Sequence, residues 1–318
     1  MHSDHKDLKE GHVMASGIRA LLVIALLALG VPIRAASFLT VGPDDPNAFF
    51  SVPNALTGLT STGTASPITL LPDGSIGYNG GLATKAGSGG SDDVVYAVGN
   101  DSLGKSTLFS FSAAGTNFTT VLALGDGFNG GLAYNSAKDA LYLIQNDFLA
   151  NSTLYRIALS GGLSLDPVGA LGAGFFGGLT YNADDGLLYA ISGDDFGVQR
   201  VLNSIDAVAG ATVTSLFELG DGSRNFNGGL AYEPDADLFY AIANDFVVNS
   251  TLTTFDLTGS SSLSDVAGPF GQGFVNVGLT LVDEFTPQPI PEPEALWLML
   301  TAAPWWLRKC RHRSYSRP

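Results

Sequence analysis

FNGGLAY, residues 226–232, recurs along the chain as YNGGLAT at 78–84, FNGGLAY at 128–134 and FFGGLTY at 175–181, with a decayed fifth copy, VNVGLTL, at 275–281. Measured from the first glycine of each pair or its equivalent, the copies start at 80, 130, 177, 228 and 277, at intervals of 50, 47, 51 and 49 residues. A period in this range points to a propeller, solenoid or array rather than to one irregular core.

The second copy shows what one unit contains. Residues 131–134 read as a first strand, NSAKD at 135–139 as a turn, and 141–145 as a second strand. After the loop 146–151, the run 152–159 alternates Tyr155, Ile157 and Leu159 against Leu154 and Arg156, the pattern of a half-buried third strand. Gly161 and Gly162 turn the chain, and 165–171 supplies a fourth. Four strands per unit of this length predict an all-β fold, a β-propeller of four-stranded blades. A helical solenoid would need a 3.6-residue apolar period, which is missing. The coils of a parallel β-helix, the structural rival, are usually shorter than this period.

The fifth copy supplies one strand, 277–282, before the chain turns Pro-rich, so three strands of its blade must come from elsewhere. The N-terminal part offers them at 38–41, 48–52 and 68–71, and the intervening GPDDPN at 42–47 mimics the Asp/Asn loops of the other copies. Pairing these with the C-terminal strand predicts a ring of five blades, without an open edge to fray or aggregate.

Composition narrows the chemistry. Charged residues are 14% of the 318, and between Ser37 and Ile290 there are 22 Asp and 3 Glu against 6 Lys and Arg. Such a surface repels phosphate backbones and anionic lipid, so no nucleic-acid partner is expected. The single cysteine, Cys310, and the four histidines, His2, His5, His12 and His312, all lie outside the repeats. The body therefore offers no disulfide, no Ser-His-Asp or Cys-His arrangement and no His-ligated zinc site.

Both ends carry addresses. At the N-terminus Arg19 precedes an apolar run, 20–30, and then Ile33, Arg34 and Ala35. This reads as a signal peptide over residues 1–35, with Met14 as an alternative start because residues 1–13 are polar and partly acidic. The propeller is expected over 36–285, followed by a Pro-rich linker, 286–294, which holds Pro291, Glu292 and Pro293. The rest, 295–318, contains an apolar stretch, 295–307, and a basic cluster, Arg308, Lys309, Arg311 and Arg313. This order resembles the PEP-CTERM sorting tail of exopolysaccharide-producing Gram-negative bacteria. The resemblance covers about the last 30 residues, and Pro304 interrupts the apolar segment here. It implies transient inner-membrane anchoring with the basic end inside, processing by an exosortase-type enzyme, and delivery of the body to the cell surface or extracellular matrix. The charge placement agrees with the positive-inside tendency.

Strand parity places the repeated polar residues. In an up-and-down blade, the loop between strands two and three and the connection from strand four to the next blade emerge at the same end. The first carries Asp101, Asp147, Asp195 and Asp245. The second carries Tyr78 and Asn79, Phe128 and Asn129, Phe175, Phe226 and Asn227, with Phe274 last, and adds Asp73, Asp126 and Asp221. One face is thus predicted to show a ring of Asp and Asn with aromatics interleaved, the candidate binding ring. Each member has a plainer use. An Asp can hydrogen-bond the backbone to shape a loop, the aromatic can fill the space between blades, and paired glycines let crowded inner strands approach.

Other readings are weaker. GNDSLGKS at 99–106 has the spacing of a phosphate-binding loop, but residues 107–111 read as strand rather than helix, and the segment aligns with 145–153 as an ordinary blade loop. Asp, Asn and carbonyl oxygens would suit calcium, yet no EF-hand or nonapeptide calcium pattern occurs, so no cofactor is expected, with a structural or bridging calcium as the alternative. The sequons at Asn100, Asn117, Asn151 and Asn249 are incidental beside a bacterial sorting tail.

Two functional classes remain. The first is a non-enzymatic binding or structural module, in which Asp and Asn meet sugar hydroxyls, aromatics stack on pyranose faces, and several weak sites gain avidity on a polysaccharide. The second is a glycan-cleaving hydrolase, because five-bladed propellers also host glycosidases with paired carboxylates. Catalysis needs two carboxyl groups in unlike environments, hence residues that break the repeat. Glu218 and Glu233 break it, but Glu233 falls at the opposite end, and no catalytic residue is assigned.

Overall fold

The computed structural model describes residues 37–43, 53–61, 65–72, 76–87, 92–147, 149–193, 198–208, 210–245, 249–259, 262–270 and 274–282. Asp73, Asp195, the segment 1–36 and the tail residues Pro291, Glu292, Pro293, Arg308, Lys309, Arg311 and Arg313 lie outside them.

Short alternating runs joined by glycine turns become antiparallel strands, β1 to β21 in chain order. β4 (Leu82–Lys85), β5 (Val94–Asn100), β6 (Lys105–Ser112) and β7 (Thr119–Asp126) form the first blade. β8 (Phe128–Asn135), β9 (Ala140–Asn146), β10 (Asn151–Ala158) and β11 (Leu165–Ala173) form the second. β12 (Leu179–Tyr181), β13 (Leu188–Gly193), β14 (Gln199–Asp206) and β15 (Thr212–Glu218) form the third. In the fourth, the inner strand comes in two pieces, β16 (Arg224–Asn225) and β17 (Leu230–Glu233), beside β18 (Leu238–Asp245), β19 (Ser250–Phe255) and β20 (Ser264–Ala267).

The fifth blade joins the two ends of the propeller. β21 (Leu279–Val282) is its inner strand, and β1 (Ser37–Pro43), β2 (Pro53–Thr60) and β3 (Ala65–Leu70) complete it in the order β21-β1-β2-β3. The register pairs Ser37 with Val282 and Thr40 with Leu279, and Thr40 Oγ1 donates to the Gly278 carbonyl at 2.6 Å. Inner strands touch in the order β4, β8, β12, β17, β21, and β21 returns to β4, so the ring closes as a five-bladed propeller. The strand that pairs with β1 is Pro53–Thr60, which puts Leu56 opposite Val41 and Leu59 opposite Phe38, all four fully buried, while the expected strand at 48–52 lies outside the described residues. The proline is tolerated as the first residue of the strand.

The core lies between neighbouring blades. Tyr142, Ile144, Leu154 and Phe175 of the second blade and its exit meet Leu179, Leu188, Ala190 and Ile205 of the third, and equivalent clusters fill the other seams. The paired glycines are steric necessities at the axis. A Cβ on Gly130 would stand 2.5 Å from both Ile144 Cγ2 and the Phe175 carbonyl oxygen, and one on Gly131, at φ +118°, 2.5 Å from the Leu179 nitrogen.

Candidate functional site

The aromatic that opens each repeat does not meet solvent. Tyr78, Phe128, Phe175 and Phe226 are 0%, 1%, 3% and 1% exposed, and Phe274 is buried with them. Phe128 packs edge-on against Tyr155, and the Tyr78 hydroxyl donates to the Pro72 carbonyl at 2.8 Å. These four candidate ligand-stacking residues are corrected to plugs of the inter-blade seams. A large apolar ring is stabilised most where the next blade covers it.

The asparagines form a relay that ties each blade to the next. Asn146, last in β9, donates through Nδ2 to Asn129 Oδ1 at 2.8 Å and to the Phe175 carbonyl of the following seam at 3.1 Å. Its Oδ1 accepts from Ser152 Oγ at 2.5 Å, and that hydroxyl accepts from Phe175 N–H at 3.1 Å. Asn244 repeats the arrangement on Asn227, the Phe274 carbonyl and Ser250. Asn100 repeats it on Asn79, the Phe128 carbonyl and Ser106. The third blade departs from it, since the register puts Gly193 where Asn146 stands, and Gln199 Oε1 accepts from Phe176 N–H at 3.1 Å instead. Asn146→Ala strands buried partners on both sides of one seam, and leaving buried polar groups unmade costs about 1–3 kcal/mol each. Urea denaturation is expected to show a loss of about 2–3 kcal/mol with an unchanged denaturant slope.

The loop carboxylates act first on their own backbone. Asp147 Oδ1 accepts from the N–H groups of Leu149 and Asn151, both at 2.8 Å, and Oδ2 from Asn151 Nδ2 at 2.9 Å. Asp101 holds the N–H groups of Leu103 and Lys105, and Asp245 that of Asn249. The side-chain amide of Asn151, then its backbone N–H, keeps the Asp147 carboxyl below its usual range. Ser223 does the same for Asp221 on this face.

Between the first two blades these loops border a groove of about 570 Å³. Asp101, Asp126 and Asp147 line it with Asn79, Asn129 and Phe176. Lys105 reaches Asp126 at 2.7 Å from the rim. The Nδ2 groups of Asn79 and Asn129 donate to no partner among the described residues, which leaves two donors beside the carboxylate oxygens. Phe176, half-buried, is the aromatic contribution to the groove. It stands where the other repeats carry Asn79, Asn129 and Asn227. That substitution was the signal in FFGGLTY that repeat averaging hides. Asp245, Asn227 and Phe226 belong to the fourth blade and do not reach this groove. A smaller hollow of about 380 Å³ there is lined by Asp221, Ser223 and Arg224.

No protein-family model matches the chain, and no curated protein does. Solved structures resemble it at the level of overall shape. A chain of a nidogen/laminin complex is 13% identical, with 78% of this chain and 98% of that chain covered and a TM-score of 0.48. TolB from Acinetobacter baumannii is 11% identical, covering 77% of this chain and 66% of that one at 0.46. A GH43 glycoside hydrolase engineered for endo-xylanase and exo-arabinofuranosidase activity is 12% identical, covering 65% and 42% at 0.41. A member of a protein complex and a glycoside hydrolase thus both occur among the neighbours. The blade count rests on strand pairing, and no activity passes to this chain from these likenesses.

The opposite face is a fence of tyrosines and carboxylates. The Tyr232 hydroxyl lies 2.9 Å from Asp237 Oδ1 and 3.0 Å from Asp184 Oδ2, and Tyr189 donates to Asp185 at 2.6 Å. Tyr240 donates to Glu233 at 2.9 Å, and burial first, then this bond, pushes its hydroxyl up to about 12. Glu218, on the groove side, faces Arg200 at 3.5 Å, so both residues that break the repeat have structural partners. Among the described residues no cluster of three or more His, Cys, Asp or Glu side chains is placed to hold a metal ion.

Proposed function

We propose that this chain is an exported β-propeller that works at the cell surface or in the extracellular matrix as a non-enzymatic binding or structural module, with an uncharged polysaccharide in the groove between its first two blades. The observation that carries this reading is the composition of that groove: donors on Asn79 and Asn129, acceptors on Asp101, Asp126 and Asp147, and the Phe176 ring. Sugar recognition needs this mixture of directed polar groups and an apolar face. Exopolysaccharide is the candidate polymer because of the PEP-CTERM-like tail, and an exosortase-type enzyme is the processing partner that tail implies.

The propeller's termini suit such a route. Ser37 and Val282 are register partners, so the chain enters and leaves together at the end opposite the Asp loops. An anchor continuing from Val282 would leave the groove face directed away from the membrane. The carboxyl groups support binding over hydrolysis. A general acid must keep its proton near neutrality, whereas Asp147 and Asp221 are held below their usual range.

A polysaccharide array followed by a reducing-sugar assay tests the reading. Purified protein is expected to retain a polymer without releasing reducing ends, and Phe176→Ala to weaken retention about fivefold to tenfold through loss of roughly 1 kcal/mol of stacking. Reproducible product formation would instead establish the hydrolase, and full retention by Phe176→Ala would remove the groove from the account.

A further inference from the structure

The axial channel opens at the end opposite the groove, where strands one and two of each blade turn. It encloses about 230 Å³ and is lined by the inner strands, among them Thr84, Thr180 and Thr280, and by Asp93. Asp93 is 2% exposed; its Oδ1 accepts from Gly87 N–H at 2.8 Å, while Oδ2 is buried and has no hydrogen-bond partner among the described residues. A buried carboxylate oxygen left unpaired is costly, and such groups are normally bonded.

The repeat shows what is missing. Lys85 pairs with Val94, and Asn135 with Ala140, so Asp93 in the first blade occupies the position of Asp139 in the second. Asp139 Oδ1 accepts from the Tyr134 hydroxyl at 3.0 Å and from Lys85 Nζ of the preceding blade at 2.6 Å. These bonds, Lys85 first, hold its carboxyl below the usual range. For Asp93 the same two positions are filled by Thr84, in place of Tyr134, and by Val282 of the preceding fifth blade, in place of Lys85. Threonine is too short to repeat the tyrosine contact, and valine carries no charge. Thr84 Oγ1 is engaged with Thr280 Oγ1 at 3.0 Å. The substitutions remove an ammonium and a phenol, and leave the Asp93 carboxylate at the wall of the channel without the two donors its counterpart has.

We propose that this end of the axial channel binds a small organic ligand through its primary ammonium group, which sits on Asp93 Oδ2 as Lys85 Nζ sits on Asp139. The threonine hydroxyls of the channel serve hydroxyl or further N–H groups of the ligand, and the Leu and Ala side chains between them contact its carbon skeleton. A single carboxylate suits one positive charge with directed N–H donors better than a divalent ion, which needs more oxygen ligands. The site is independent of the inter-blade groove and of the polysaccharide reading.

Calorimetric titration of the full chain with n-propylammonium and with glucosamine, against glucose and tetramethylammonium, tests this. Both primary ammonium compounds are expected to bind and the two controls not to. Asp93→Asn, which keeps the shape and removes the charge, is expected to weaken binding about tenfold or more. Val282→Lys copies Lys85 into the fifth blade and should abolish binding, because the new ammonium takes the ligand's place on Asp93. No heat from either primary ammonium compound with the wild-type chain would overturn the proposal. So would binding undiminished in Val282→Lys, an outcome that decides the matter even where Asp93→Asn fails to fold.

Discussion

Gly131→Ala is expected to destabilise the propeller by about 3 kcal/mol or more, a large share of the roughly 5–15 kcal/mol that holds a domain of ordinary stability together. Two effects add. At φ +118° an L side chain is strained, and its Cβ would lie 2.5 Å from the Leu179 nitrogen and 2.7 Å from the Gly178 carbonyl carbon. Both atoms are backbone of the next inner strand, so relief requires two blades to separate at the axis. Gly172→Ala provides the control. Its φ is +98°, but nothing lies within 4 Å of the added carbon, so only conformational strain of about 1 kcal/mol is expected. Urea midpoints of the two variants measure the difference, and equal losses would show that inter-blade crowding contributes nothing at Gly131.

Removing Ser37–Pro43 is expected to abolish cooperative unfolding altogether. β1 is the second strand of the fifth blade, between β21 and β2, so its loss leaves β21 without its hydrogen-bonding partner. Phe38, Leu39 and Val41, each fully buried, go with it. At about 1.5–3 kcal/mol for each large apolar side chain, the lost burial alone approaches the stability of a whole domain. An open ring also exposes strand edges, which template association. Calorimetry and size-exclusion chromatography should show an expanded or aggregating chain without a sharp transition. A cooperative melt at the original temperature would mean that four blades stand without the closure. Leu39→Ala is the milder version, with an expected loss of about 2–5 kcal/mol.

How legible the fold was can be judged strand by strand. The second blade is legible in the sequence, since 131–134, 141–145, 152–159 and 165–171 fall within or within one residue of β8, β9, β10 and β11. Glycine turns and period-two alternation are local properties, visible without the partner blade. The first strands of the fifth blade were harder. PNALTGLT at 53–60 carries little strand signal of its own, and only the pairing of Leu56 and Leu59 with β1 reveals it as a strand. The site was less legible still. A loop aromatic reads alike whether it faces solvent or a seam, and Phe176, which lines the groove, differs from its buried neighbour Phe175 by one position.

The amino-acid sequence by itself determined the period, the four strands per blade, the count of five and the origin of the fifth blade from both ends, because each follows from spacing and short-range pattern. Tertiary structure alone decided which side chains became sites. It buried the repeated aromatics under the next blade and turned the loop carboxylates onto their own backbone. It also brought Val282 beside the first blade, leaving Asp93 without the ammonium that its counterpart Asp139 receives. Burial and pairing depend on which blade is next door, and in a closed ring the neighbour of the first blade is the far end of the chain.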